Sequence, residues 1–419
     1  ADSLLKKGKK FDNRGNMEES EFYYREAYDI YRDFQDTASW LEAGKEYASA
    51  MMWRSKSEQA ETLYKKLLDV DHPANDVYNR GDLYNSLGLN AKNSGDIEQA
   101  VEYYQKSLPL AKQSGDKILL GVVYSNLGGV QKNRGNYAKA TERYEQSLPY
   151  FREVDQPYRV AISLSNMADI FNQLSLHNKA LDYYNQSLEI QSDIGNVHSL
   201  ASIYTGLGKV HQELGNYDQS LISFQKGLNY SKKAGIPAKT ATIYNNIGVL
   251  YKMLGEYEKA REYYEQSLAI NEQTSGPTSI ATTTRNLGKL LWQQNKYEEA
   301  RPYYEKALEL RRQIGNPYDI ALSLNNMVQI SIKEQDYSQA MQYAHQIKTI
   351  GDSTGSYEVQ EDASRFLGKV EDARGNEQKA LGHYKTAYAY SQYLPATAQL
   401  GPLRSLAEQY HELNSDSAV

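Results

Sequence analysis

Between residues 241 and 280 the apolar and small positions fall on two stripes. Tyr244, Ile247, Gly248 and Tyr251 stand at i, i+3, i+4 and i+7, the spacing of one face of an α-helix. Ala260, Tyr264, Ser267 and Leu268 trace a second such face. Gly255 lies between them, and a residue without Cβ takes the left-handed conformation that ends helices. The pattern predicts helix, tight turn, helix.

The same pattern returns every 40 residues. Gly15-Asn16, Gly95-Asp96, Gly135-Asn136, Gly215-Asn216, Gly255-Glu256 and Gly375-Asn376 are separated by multiples of 40. The 419 residues divide into ten units (1–40, 41–80, 81–120, 121–160, 161–200, 201–240, 241–280, 281–320, 321–360 and 361–400). Leu403, Leu406, Ala407, Tyr410 and Leu413 then predict a closing helix over 401–414, with a polar tail over 415–419. Numbering each unit from 1, position 24 is Tyr or Phe in nine of ten, Ala344 being the exception. Position 20 is Ala or Ser throughout, and position 8 is Gly or Ala except at Val328. Gly115, Gly195, Gly235, Gly315 and Gly355, all at position 35, mark the end of the second helix. Small residues at 8 and 20 let the two helices close up, and the ring at 24 fills the seam. One hairpin buries too little apolar surface to fold alone, so the hairpins must stack.

Some units depart from the pattern. Repeat two has Ser55 for the turn glycine and the linker Asp71-His72-Pro73-Ala74-Asn75, which predict an opened stacking angle. Pro109 and Pro149 fall inside second helices and predict bends there. Repeat nine, with Ala344 for the ring and Val328 for the glycine, predicts looser packing. In the doublets Tyr23-Tyr24, Tyr103-Tyr104, Tyr183-Tyr184, Tyr263-Tyr264 and Tyr303-Tyr304, the second ring is the buried one, and the first packs one face outside it with its hydroxyl in water.

These positions resemble the tetratricopeptide repeat, with Gly or Ala at 8, an aromatic at 11, Gly near 15, Ala at 20, an aromatic at 24 and a small residue at 27. The resemblance covers nearly the whole chain, although the family's usual period is about 34 residues. The longer type is similar to Pins-type adaptors, kinesin light chain, bacterial Rap-type regulators, and the arrays attached to sensor histidine kinases and CHAT-type proteases. It implies an all-α, right-handed α-solenoid with a C-terminal capping helix, and a concave groove lined by first-helix positions 2, 5, 6, 9, 12 and 13.

On those groove positions stand Asn85, Asn126, Asn166, Asn246, Asn286 and Asn326, each amide offering donors and an acceptor. Similar ladders in Pins-type adaptors and kinesin light chain hold extended peptides. The alternative is that the amides bridge neighbouring first helices and keep the repeats in register, and both readings stay open. Arg285, Lys289, Lys333, Arg365 and Lys369 form a basic stretch of the same wall, beside Trp292 as a flat platform, suited to carboxylates. Its alternative is a solvated face balanced by Glu334, Asp362 and Asp372.

Composition removes several other functions. There are 47 Lys and Arg against 53 Asp and Glu, a formal charge of -6, which argues against a surface that coats nucleic acid. With no Cys, disulfides, thiolate zinc sites and cysteine nucleophiles are excluded. No apolar run approaches the roughly 20 residues of a membrane span, and the seven His show no i, i+4 pair, so neither metal nor cofactor is expected. His211 replaces an aromatic at position 11 and reads as packing. Gly351-Asp352-Ser353-Thr354-Gly355 matches the nucleophile elbow G-x-S-x-G, yet it falls in the expected loop after a second helix, without the strand an elbow requires. No catalytic residue is expected.

The expectation is a non-enzymatic scaffold that captures a protein or peptide segment, acidic in part, for signalling or complex assembly. The alternative is the regulatory repeat region of a larger bacterial sensor kinase or CHAT-type protease, and a third reading is a homo-oligomer formed through the end repeats. The start at Ala1 fits a cleaved signal peptide or a trimmed chain, which leaves cytoplasm and periplasm both open.

Overall fold

In the computed structural model, residues 1–12, 16–274, 276–394 and 396–416 are described, those at 396–398 and 410–416 as backbone. Gly15, Ser417 and the side chains of Tyr410 and Leu413 lie outside the described residues. The fold is an all-α solenoid of consecutive helix-turn-helix hairpins, without strands among the described residues. The chain forms two compact units, Ala1–Leu214 and Gly215–Val419.

In the first unit, helices Val77–Asn93, Lys117–Asn133, Pro157–Gln173 and Val197–Glu213 begin at intervals of 40 residues. Ile97–Ser114, Tyr137–Glu153 and His177–Ile194 alternate with them. The second unit repeats the scheme with Pro237–Met253, Pro277–Gln293, Pro317–Lys333 and Tyr357–Ala373, each followed by a partner helix. First helices therefore start four residues ahead of the boundaries at 81, 121 and so on, and the 40-residue frame marks a period, not helix edges.

Local chemistry places these ends. Asp96, Asp116 and Asn196 each accept a hydrogen bond from the backbone N–H three residues on, the usual N-cap. Pro157, Pro237, Pro277 and Pro317 occupy the first helical turn, where the missing N–H has no partner to lose. At the turn between paired helices φ is positive whether or not the residue is Gly: Gly255 at 76°, Ser55 at 60°, Ser175 at 58°, Gln335 at 62°. Ser55 thus keeps the turn it was expected to disturb. The linker behind it is held by Asn75, whose Nδ2 donates to the carbonyls of Leu67, Leu68 and Val70 and closes the end of helix Ser57–Leu68. The helices containing Pro109 and Pro149 run on without a break.

The seams are tight. A Cβ added at Gly88, Gly248, Gly288 or Gly368 would come within 2.6 to 2.7 Å of the position-24 ring of its own hairpin. Ser107, Ser187 and Ser267, all at position 27, donate from buried hydroxyls to the carbonyls of Gly81, Ala161 and Ala241 at 2.7 to 2.8 Å, tying each second helix to its partner. Repeat nine is not loose: Val328 and Ala344 are both fully buried, in a cluster with Met327, Ile330 and Ile347. A larger residue at position 8 offsets the smaller one at 24. The aromatics at position 23 stack on those at position 11, with Phe11–Tyr23, Phe171–Tyr183 and Tyr251–Tyr263 at 5.2 to 5.4 Å between centroids. The closing helix spans Ala396–Asp416, and Leu403, expected on its inner stripe, is 47% exposed.

Candidate functional site

The first helices project their polar residues at positions 5, 6, 9 and 12, and the structure divides the asparagines into kinds. Asn126 Nδ2 donates to Asn85 Oδ1 at 2.8 Å, and Asn286 Nδ2 donates to Asn245 Oδ1 at 2.9 Å. In both cases an amide at position 6 grips the position-5 amide of the preceding repeat. Asn166 Oδ1 accepts from Lys132 Nζ at 3.3 Å, and Asn326 Nδ2 donates back to Leu322 O at 3.1 Å. Asn246 is different, because its Nδ2 is buried without a hydrogen-bond partner. In repeat six the position is Gly206, and the Tyr184 ring occupies the space: a Cβ there would lie 2.3 Å from Tyr184 Cζ.

In the second unit these helices border an open cavity of about 430 Å³. Lys252, Lys289 and Arg365 bring the charge, Trp292, Tyr304 and Phe366 the aromatic walls, and Asn325 and Asn326 the amides. Trp292 is braced edge-on by Tyr297, at 4.8 Å between centroids. No carboxylate lines the cavity among the described residues. Burial, then repulsion by Arg285, Lys252 and Arg311, pulls the Lys289 ammonium down to about 8. Burial followed by the neighbouring Arg285 lowers Lys252, and burial lowers Arg285 itself. Arg285 Nε is buried without a partner, as is Asn325 Oδ1, while Asn325 Nδ2 donates to Asp362 at 2.8 Å. Lys252, Lys289 and Arg285 are thus crowded together, with Asp319 the one carboxylate acting on Arg285 and none on the two lysines, the condition under which an anionic ligand relieves the most repulsion.

The basic residues read from the sequence separate accordingly. Lys289 and Arg365 line the cavity, and Arg285 acts on it at close range. Arg365 also pairs with Glu361 at 2.9 Å and with Asp362. Lys333 and Lys369 are not among the lining residues; they sit over the rings of Tyr297 and Phe366 at 5.8 and 5.5 Å. Glu334, proposed as a counter-charge, is engaged by Arg301 at 2.9 Å. Sequence reasoning overlooked Lys252 and Phe366. Lys252 stands at groove position 12 one repeat earlier, so reading that position in every repeat would have found it.

Gly351–Thr354 is helix and not loop, the last turn of Tyr337–Thr354, with Gly355 as its left-handed cap. Ser353 Oγ donates to Ile350 O at 3.0 Å, which is no elbow geometry. Among the described residues no group of three His, Asp or Glu could hold a metal, and no helix is long and apolar enough to cross a membrane.

A family model for the tetratricopeptide repeat matches residues 79–153, 159–233 and 239–313, and a second model of the same description matches 284–348. The chain belongs to the tetratricopeptide repeat family. Among solved structures it is similar to a signal transduction ATPase with numerous domains carrying a tetratricopeptide repeat sensor, from Pyrococcus horikoshii (TM-score 0.61, 20% identity, 84% of this chain and 53% of that one). It is also similar to the apo form of RapI (0.58, 17%, 84% and 97%) and to a Rap protein complexed with competence and sporulation factor (0.55, 13%, 88% and 99%). The chain thus spans about half the length of the first of these and nearly all of the other two. At such identities the likeness is one of fold. No curated protein matches the sequence.

Proposed function

We propose that the protein is a ten-repeat scaffold that captures a partner segment along its first helices, and that the segment places an acidic group in the cavity of the second unit. The observation that carries this is the cluster of Lys252, Arg285 and Lys289, all three lowered by burial and the two lysines also by neighbouring cations, with no carboxylate among the described residues of the lining. Trp292 and Phe366 would flank an apolar residue next to the acid. A Rap protein of similar fold is complexed with a factor, which supports capture as the use of such a scaffold.

Fluorescence anisotropy with a labelled hexaglutamate peptide tests it, with hexaglutamine as control. Wild type is expected to bind the acidic peptide only, and Arg285→Gln with Lys289→Gln to weaken it by roughly tenfold or more. Equal affinity for the two peptides, or for wild type and variant, would remove the acidic-ligand reading.

A second reading is favoured by the likeness to a repeat sensor that belongs to a larger signalling ATPase. In it, the same capture event regulates a catalytic domain of a larger bacterial signalling enzyme. Sequencing the complete reading frame decides between the two.

A further inference from the structure

A second cavity, of about 310 Å³, lies in the first unit among helices Pro157–Gln173, His177–Ile194 and Val197–Glu213. Its character is opposite to that of the basic one. Asp169 is its one carboxylate, and no Lys or Arg lines it among the described residues. Gln191, only 1% exposed, donates Nε2 to Tyr158 O at 3.5 Å and leaves Oε1 buried with no hydrogen-bond partner. A buried acceptor without a donor is destabilising, so its place in a cavity wall points to a donor that arrives with a ligand.

The acceptors are held in position. Gly206 makes room for Tyr184, whose hydroxyl donates to Asp169 Oδ1. Lys132 Nζ approaches from outside the lining and donates to Asp169 Oδ2 at 2.9 Å and to Asn166 Oδ1 at 3.3 Å. An ammonium group therefore already suits this acceptor set, and each carboxylate oxygen keeps a second lone pair. We propose that the cavity binds a primary alkylammonium group, taken by Asp169 and Gln191 Oε1, with its methylenes between Ile162 and Ile203. A lysine side chain of a captured peptide and a free polyamine share this chemistry. The lysine source rests on the capture reading above, whereas the site itself does not.

The test is a titration monitored by the methyl NMR signals of Ile162 and Ile203. The probes are Nα-acetyl-lysine amide, cadaverine, Nα-acetyl-norleucine amide and Nα-acetyl-arginine amide. The ammonium probes are expected to shift both signals and norleucine amide to leave them unmoved. Asp169→Asn should weaken binding roughly tenfold, and Gln191→Met by a smaller factor. Lys132→Ala, which removes the competing ammonium, should tighten it, an effect that a merely structural role would not produce. Preference for lysine amide over cadaverine assigns the peptide source, and the reverse assigns the polyamine, in either case with the site upheld. Norleucine amide binding as well as lysine amide, arginine amide binding more tightly than either ammonium probe, no shift with any probe, or unchanged affinity in Asp169→Asn would each overturn the proposal. Failure here with success of the hexaglutamate experiment would leave the scaffold reading standing.

Discussion

Asn246 and Asn286 occupy the same position of successive repeats, yet their amides are spent differently. Asn286 Nδ2 serves Asn245, whereas Asn246 Nδ2 is buried and unserved. Removing a satisfied partner strands the other, so Asn286→Ala should destabilise the fold by about 1 kcal/mol. Asn246→Ala removes an orphan and should be neutral within about 0.5 kcal/mol, which urea titration measures. If the two variants lose equal stability, the distinction between register-keeping and unpartnered amides is wrong. The seam makes a second prediction at this scale. Val328→Gly and Ala344→Tyr should each destabilise repeat nine by about 1–3 kcal/mol, one by a cavity and the other by overpacking. Together they restore the Gly-and-ring pair seen at Gly288 and Tyr304, so the double variant should recover at least half of the summed loss in a double-mutant cycle.

Helix ends were the most legible part of this protein, because glycine, proline and short polar residues act within a few bonds of where they stand. Gly95, Gly115 and Pro157 sit where their conformational preferences place them. The turns at Ser55 and Ser175 show the limit, since packing on both sides imposes a left-handed backbone on residues that do not favour it. Ser175→Gly should therefore stabilise the chain by about 0.5–1 kcal/mol, read as a rise in the melting temperature. Loss of stability in that variant would mean that the serine hydroxyl does more than the backbone relief is worth. The cavities were harder to read. The basic one takes Lys252, Lys289, Asn325 and Arg365 from four successive repeats, and only stacking brings them to one wall. A search for residues near one another in sequence finds Arg285 and Lys289 but passes over Lys252. Gly206 is harder still, because a missing side chain signals nothing until Tyr184 is seen to fill its place.

For the molecule as a whole the formal charge of -6 conceals a local excess of the opposite sign. On the proposed reading an acidic ligand is repelled at long range and attracted at the pocket, so hexaglutamate affinity should depend on salt less steeply than that of a uniformly basic protein. The pH response follows from Lys289, held at about 8 when folded against 10.5 when free. Between those values the unfolded chain binds the extra proton, so stability rises as pH goes from about 8 to 10.5. Anion affinity runs the other way, full below pH 8 and falling above it as the ammonium is lost. Lys289→Met should flatten both slopes, leaving the smaller contribution of the lowered Lys252, and an anisotropy series from pH 6 to pH 10 with unchanged slope in that variant would place the titrating group elsewhere.

The paired exchange at Val328 and Ala344 has a bearing on how such chains can be recombined. A crossover at the turn between the two helices of repeat nine would join its first helix to another repeat's second helix, setting Val against Tyr, or the reverse, setting Gly against Ala. Crossovers between whole hairpins avoid both faults. The unit that can be shuffled, duplicated or grafted is thus the hairpin with its own seam, and libraries of chimeric repeats cut at those joints should yield more folded members than libraries cut at the turns.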